Sequence, residues 1–146
     1  MAVPFLRGLH EAGWPIDLVV SRPDTRRRRN AEPEPSPVKA LALELGLPTS
    51  DDPADVVGSG ADLGVVVAYG RILRPELLAA VPMVNVHFSR LPRWRGAAPV
   101  ERAILAGDER TGVDVMVVEE GLDTGAVYAR REVDIGDHET AGELAD

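Results

Sequence analysis

Asn85 and His87 stand two residues apart in the short stretch Val84-Asn85-Val86-His87, so a strand there turns both side chains to one face of a sheet. Apolar residues would pack better at these positions, and burying either polar group without a partner costs about 1–3 kcal/mol. Asp123 follows later, in Glu120-Gly121-Leu122-Asp123-Thr124-Gly125, where the flanking glycines permit a tight turn. An amide, an imidazole and a carboxylate brought to one place make an acyl-transfer site. Asn85 and a protonated His87 bind a developing oxyanion, while Asp123 holds the imidazole charged or manages proton loss from the attacking group. No side-chain nucleophile is needed when the attacker is an amine of the substrate. Taken alone, the same residues also describe a satisfied polar pair on a strand and an ordinary Asx turn, and both readings stay open at this point.

Other chemistries fail on context. Gly58-Ser59-Gly60-Ala61-Asp62-Leu63-Gly64 is similar to a dinucleotide fingerprint, but it precedes a strand instead of opening a helix, and its third glycine comes one place late. His10 falls on the first helix and His138 in an acidic turn, so no set of metal ligands surrounds His87, and no metal is expected. There is no Gly-x-Ser-x-Gly elbow and no phosphate-binding Walker motif. With no cysteine, the chain has no thiol nucleophile and no disulfide framework.

The elements that must position these groups are readable from periodicity. Val3, Leu6, Leu9 and Ala12 recur at helical spacing until Gly13, and Ile16 to Val20 is a β-branched run entering a turn. Ser36 is an N-cap with Pro37 at the first helical position, and Val38, Leu41, Ala42 and Leu45 form a stripe that ends at Gly46. Residues 63–68 make a continuous apolar run, the pattern of a strand covered on both faces in a parallel sheet. Helices are predicted over 75–80 and 98–106, and strands over 84–87, 113–118 and 127–133. Strands alternating with helices of about ten residues specify an α/β sheet, in which ligands sit at the carboxyl ends of the strands.

The 146 residues suit one domain of ordinary size, and the longest apolar runs fall far short of the roughly 20 residues of a membrane span. The first residues lack the pattern of a signal peptide, so a cytoplasmic location is expected. The net charge of −8 opposes bulk attraction to nucleic acid, yet it is unevenly spread: residues 22–39 and 81–106 are net basic within an acidic chain. The first island contains Arg26, Arg27, Arg28 and Arg29, followed by a Glu/Pro-rich stretch with too few apolar residues to pack, which reads as a surface loop.

Residues 85–99, Asn-Val-His-Phe-Ser-Arg-Leu-Pro-Arg-Trp-Arg-Gly-Ala-Ala-Pro, resemble the signature of the methionyl-tRNA formyltransferase family. Leu122-Asp123-Thr124-Gly125 and Pro35-Ser36-Pro37-Val38-Lys39 are similar to further segments of that family, and the likeness runs over nearly the whole chain. The first two motifs belong to all enzymes that use 10-formyltetrahydrofolate on this fold, whereas Arg-Gly-Ala-Ala-Pro and Pro-Ser-Pro-Val-Lys favour the tRNA enzyme.

The resemblance implies a Rossmann-like formyltransferase fold with a mostly parallel sheet flanked by helices, and Asn85, His87 and Asp123 as its catalytic residues. The co-substrate implied is 10-formyltetrahydrofolate and the acceptor is the amine of initiator methionyl-tRNA, with no membrane and no protein partner. Ser89, Arg90, Leu91 and Pro92 would line the folate site, where the family has Ser-Leu-Leu-Pro and Arg90 replaces the first Leu. Tyr69, Gly70, Arg71, Ile72 and Leu73 match a loop whose backbone holds the pterin, with Glu119 and Glu120 on its other side. Arg26 to Arg29 match an insertion that grips the tRNA acceptor end. Met1 falls just before the helix that the family's first strand precedes, and Asp146 falls inside a further helix. The expectation is therefore an incomplete catalytic domain over residues 1–146, lacking its first strand, with the β-rich C-terminal tRNA-binding domain absent. The alternatives are a formyltransferase for a sugar amine or other small amine, and an inactive relative that only binds folate or tRNA.

Overall fold

The structure, a computed structural model, describes residues 1–26 and 32–145. Its elements run α1 (Ala2–Glu11), β1 (Val19–Val20), α2 (Pro37–Glu44), β2 (Thr49–Ser50), a 3-10 helix (Pro53–Gly58), β3 (Gly64–Val67), α3 (Pro75–Ala80), β4 (Met83–His87), α4 (Pro99–Leu105), β5 (Arg110–Val117), β6 (Val127–Asp134) and α5 (Ala141–Ala145). The short β2 and the 3-10 helix carry no periodic apolar signal and are additions to the sequence reading. The 3-10 helix starts because the Asp52 carboxylate accepts from the Ala54 N–H and Pro53 follows it.

The strands form two sheets. In one, β1 pairs with β2 in parallel; in the other the order is β3-β4-β5-β6. β3 and β4 are parallel, but β4-β5 and β5-β6 are antiparallel, so the larger sheet is mixed. The alternation of helices and strands does not reveal this reversal, because α4 lies between β4 and β5 just as a crossover helix would. β3 also differs from the doubly covered strand expected: it is an edge of the larger sheet, and Val65 and neighbouring Leu63 are exposed. An apolar cavity of about 260 Å³, bordered by residues of β1 and β3, lies between the two sheets.

Two cores correspond to the two sheets. Leu6 of α1, Val19 of β1 and Leu41 and Ala42 of α2 bury one another, with Ile16, Val38 and Leu45 packed around them. Leu77, Val81 and Met83 form the second, against which Val66, Leu73 and Val118 pack. The helix ends follow local chemistry. At the end of α2 Gly46 takes φ +69°, Gly46 N–H donates to Leu43 and Leu47 N–H to Ala42, which satisfies two carbonyls that a helix end leaves free. Gly107 closes α4 in the same way, through Ile104 and Ala103. An edge-to-face contact of Phe5 with Phe88, 6.0 Å between ring centroids, ties α1 to the segment leaving β4.

Ser36 joins two of these features. Its hydroxyl accepts from the Lys39 N–H at the start of α2 and is hydrogen-bonded to the buried Ser21 hydroxyl just beyond β1. Ser36→Ala removes the cap and strands the Ser21 hydroxyl, so urea denaturation should give a loss of about 1–3 kcal/mol, with little change in m-value.

Candidate active site

β4 carries Asn85 and His87 on one face, and the chain beyond it turns into a loop that folds back over the imidazole. The loop is held internally. Ser89 is fully buried, and its Oγ accepts from the Trp94 N–H at 2.9 Å. The Arg93 N–H closes a turn onto the Arg90 carbonyl, and Trp94 Nε1 donates to Asp108 Oδ2 at 2.8 Å. Arg93 bonds the other Asp108 oxygen at 2.8 Å while its guanidinium lies 4.6 Å from the Trp94 ring centroid.

This construction brings the Trp94 carbonyl oxygen to 2.8 Å from His87 Nε2. A carbonyl only accepts, so the proton on the ring must sit on Nε2. Nδ1 is thereby left for the site, and it lies 3.6 Å from Asp123 Oδ2. Both side chains are secluded, with 7% and 13% of their surfaces exposed, so water screens the contact weakly. Asp123 Oδ2 also accepts from the Gly96 N–H at 2.6 Å, which orients the carboxylate. Asn85 makes no side-chain hydrogen bond to another described residue, so its amide is available to a ligand.

The turn that delivers Asp123 is close-packed. A Cβ at Gly125 would come within 2.1 Å of the Val117 carbonyl oxygen, and one at Gly121 within 2.3 Å of Thr124 Oγ1. Asp123 itself has φ +50°, a region that Asp and Asn enter more readily than other side chains. Leu122 beside it is 69% exposed, and Ile72 is 95% exposed, unusual for large aliphatic groups.

The remaining residues from the sequence reading divide into groups. Leu73 and Val118 pack on the same core, so residues 69–73 and Glu119-Glu120 flank one cluster. The Tyr69 hydroxyl is buried there without a hydrogen-bond partner. Arg90, Leu91 and Pro92 instead line a cavity of about 630 Å³ shared with Trp94, Asp108, Arg110 and Arg130. Ser89 holds the loop and has no open face for a ligand, and Arg90 pairs with Glu132 at 2.9 Å. The Arg90 stem passes over Gly112, where a Cβ would meet it at 3.1 Å. Arg26 is exposed; Arg27, Arg28 and Arg29 lie outside the described residues. Sequence reasoning missed Trp94 and Gly96 as partners of His87 and Asp123, and Asp108 as the loop's anchor. Their only signal was membership of the 85–99 segment or, for Asp108, of an acidic turn. No helix among the described residues is long and apolar enough to cross a membrane.

Residues 3–146 match the family model described as formyl transferase. The chain is 47% identical over 154 residues to a methionyl-tRNA formyltransferase of Clavibacter sepedonicus, and 49% identical over 156 residues to one from Parasynechococcus marenigrum. Each match covers 99% of this chain but only 50% and 46% of the relative, so the chain spans about half the length of these curated relatives. Among solved structures, the phosphoribosylglycinamide formyltransferase of Streptococcus pneumoniae superposes with a TM-score of 0.76 at 27% identity, covering 95% of this chain and 81% of that one.

The Asp123 geometry sets an order of stabilities. Asp123→Asn retains an oxygen for the Gly96 N–H and tolerates the positive φ, whereas Asp123→Ala loses the hydrogen bond and strains the backbone. Thermal unfolding should place the Ala variant about 2 kcal/mol below the Asn variant.

Proposed function

The chain belongs to the formyl transferase family, and from that premise we propose that it carries the site for formyl transfer from 10-formyltetrahydrofolate to the amino group of initiator methionyl-tRNA in the cytoplasm. The observation that supports this most directly is that Asn85, with no side-chain partner among the described residues, shares a strand face with an imidazole whose Nε2 is engaged and whose Nδ1 faces the partly buried Asp123 carboxylate. The folate supplies an activated formyl carbon bonded to a nitrogen that can leave. The surroundings offer surface for such a ligand: Ile72 and Leu122 are exposed, Leu122 beside Gly96, and Tyr69, whose hydroxyl is unpartnered, borders the apolar cavity between the sheets.

In this reading the amine attacks the formyl carbon, forming the new C–N bond, while negative charge develops on the formyl oxygen. Asn85 Nδ2 donates to that oxygen, and His87, its Nε2–H held by the Trp94 carbonyl, donates from Nδ1 in the doubly protonated form of the ring, so the pair of donors is fixed in place. Asp123 Oδ2 is engaged by Gly96, so Oδ1 is the oxygen open to the proton shed by the attacking nitrogen. The proton passes to the departing folate nitrogen as its bond to carbon breaks, and the site returns to its starting state.

Recognition of the acceptor by the Arg26–Arg29 loop is supported by how its base is built. Thr25 and Glu34 close it with two backbone hydrogen bonds of 3.1 and 3.0 Å. Lys39 then bonds Asp24 at 2.8 Å and Asp51 at 2.7 Å, joining the loop base to α2 and to the segment after β2. These contacts, Asp24 first and Asp51 second, hold the Lys39 ammonium above the usual lysine value.

A formyl-transfer assay on methionyl-tRNA tests the assignment: His87→Ala and Asp123→Ala should each lower kcat by about 10²–10⁴-fold, and unchanged activity in both would refute it. Replacing Arg26 to Arg29 with Ala should raise KM for tRNA and flatten its salt dependence by up to about 3 in the log–log slope. A small-amine formyltransferase would instead be indifferent to the loop and would turn over free amines equally well.

A further inference from the structure

Asp114 stands in the middle of β5 with 0% of its surface exposed, in the otherwise apolar stretch Val113-Asp114-Val115. In the antiparallel ladder it lies opposite His87 on one side and opposite Arg130 on the other, so the three side chains form a row across one face of the sheet. Arg130 Nε bonds Asp114 Oδ1 at 2.7 Å, and Arg130 Nη2 bonds Oδ2 at 2.6 Å. The same two side chains hold Leu91 by both of its backbone groups: its N–H donates to Asp114 Oδ2 at 2.9 Å, and its carbonyl accepts from Arg130 Nη2 at 2.8 Å. Arg130 is raised above the usual arginine value, chiefly by the Asp114 hydrogen bond and against the effect of burial.

Asp114 is fully buried while the Arg130 side chain is 35% exposed, and a carboxylate desolvated for such a pair is often no more stabilising than an apolar residue of the same volume, so its presence in this strand calls for a reason other than stability. The reaction described above makes no use of it. Leu91, however, begins the turn that ends at Trp94, whose carbonyl fixes the proton on His87 Nε2. A shift of about 1 Å at Leu91 would carry that carbonyl out of hydrogen-bond range.

We propose that Asp114 and Arg130 are positioning residues that clamp Leu91, aim the Trp94 carbonyl at His87, and so keep the imidazole as the Nε2–H tautomer with Nδ1 facing the site. The clamp stands on the geometry alone; its consequence for turnover rests on the formyl-transfer reading.

The test uses the full chain, uniformly ¹⁵N-labelled, with the His87 ring signals identified by their loss in His87→Asn. The native protein should show Nε2 protonated and slow exchange of that proton with water. In Asp114→Asn and Arg130→Lys the ring should sample both tautomers and the proton should exchange at least about ten-fold faster. Turnover should fall by up to about 10²-fold with KM for the folate donor little changed. Arg110→Ala removes the ion pairs to Glu132 and Asp134 on the same sheet without touching Leu91, and should leave His87 as in the native protein. If Asp114→Asn does not fold, Arg130→Lys decides, since it keeps the charge but not the forked contact. A folded variant with native His87 signals would overturn the clamp, as would an Arg110→Ala effect of equal size. Altered tautomers with unchanged kcat would overturn its role in turnover. Absence of formyl transfer by the native chain would refute the functional reading and leave the clamp to the NMR result.

Discussion

A carboxylate with no exposed surface is tolerable inside a protein only when its oxygens are all engaged, because an uncompensated charge there costs several kcal/mol. Asp114 meets that condition with donors from Arg130 and from the Leu91 backbone. The consequence runs outward from the sheet. Leu91 is immobilised, the turn after it carries Trp94 back toward β4, and the Trp94 carbonyl decides which nitrogen of His87 is free. Asp108 secures the far side of the same turn through Trp94 and Arg93. The imidazole is therefore set by a chain of long-range hydrogen bonds that begins at a charge in the next strand.

Charge is organised by the same economy. β6 is exposed along its whole length, and its cations and anions meet those of β5 in pairs: Arg110 with Glu132 and Asp134, and Arg130 with Asp114. The Arg110 pairs are exposed and add little stability each, whereas Asp114 is fully buried; together with Arg90–Glu132 and Arg93–Asp108, these pairs give each of the four arginines lining the cavity beside residues 90–94 a carboxylate partner. The bridge between Thr25 and Glu34 is arranged differently, since Asp24 and Asp51 are both engaged by Lys39.

The two cores have different tasks. The one around Leu41 and Ala42 joins α1, α2 and β1. The one around Leu77 and Met83 supports β3, β4 and the end of β5, and so the strand that carries Asn85 and His87. The contact of Phe5 with Phe88 links the two groups directly beside the site.

Much of this was legible beforehand. The helices over residues 2–11, 37–44, 75–80 and 99–105 follow from apolar spacing, Pro at the first turn and, except after 75–80, Gly beyond the last, all of which act within a few residues. Asn85, His87 and Asp123 were identifiable as chemical groups because polar residues on an otherwise apolar strand and an Asp between glycines are local anomalies. The antiparallel reversal at β5, the exposure of β3 and the internal use of Ser89 were not legible, because each depends on which segments become neighbours. Nor was the choice of ring nitrogen on His87, which is made by a bond to Trp94 and stabilised by one between Arg130 and Leu91, 39 residues apart. The sequence by itself determined the elements and the functional groups, since these arise from local periodicity and side-chain chemistry. Only the tertiary structure decided how the groups are oriented, because hydrogen bonds between distant segments leave no periodic trace in the chain.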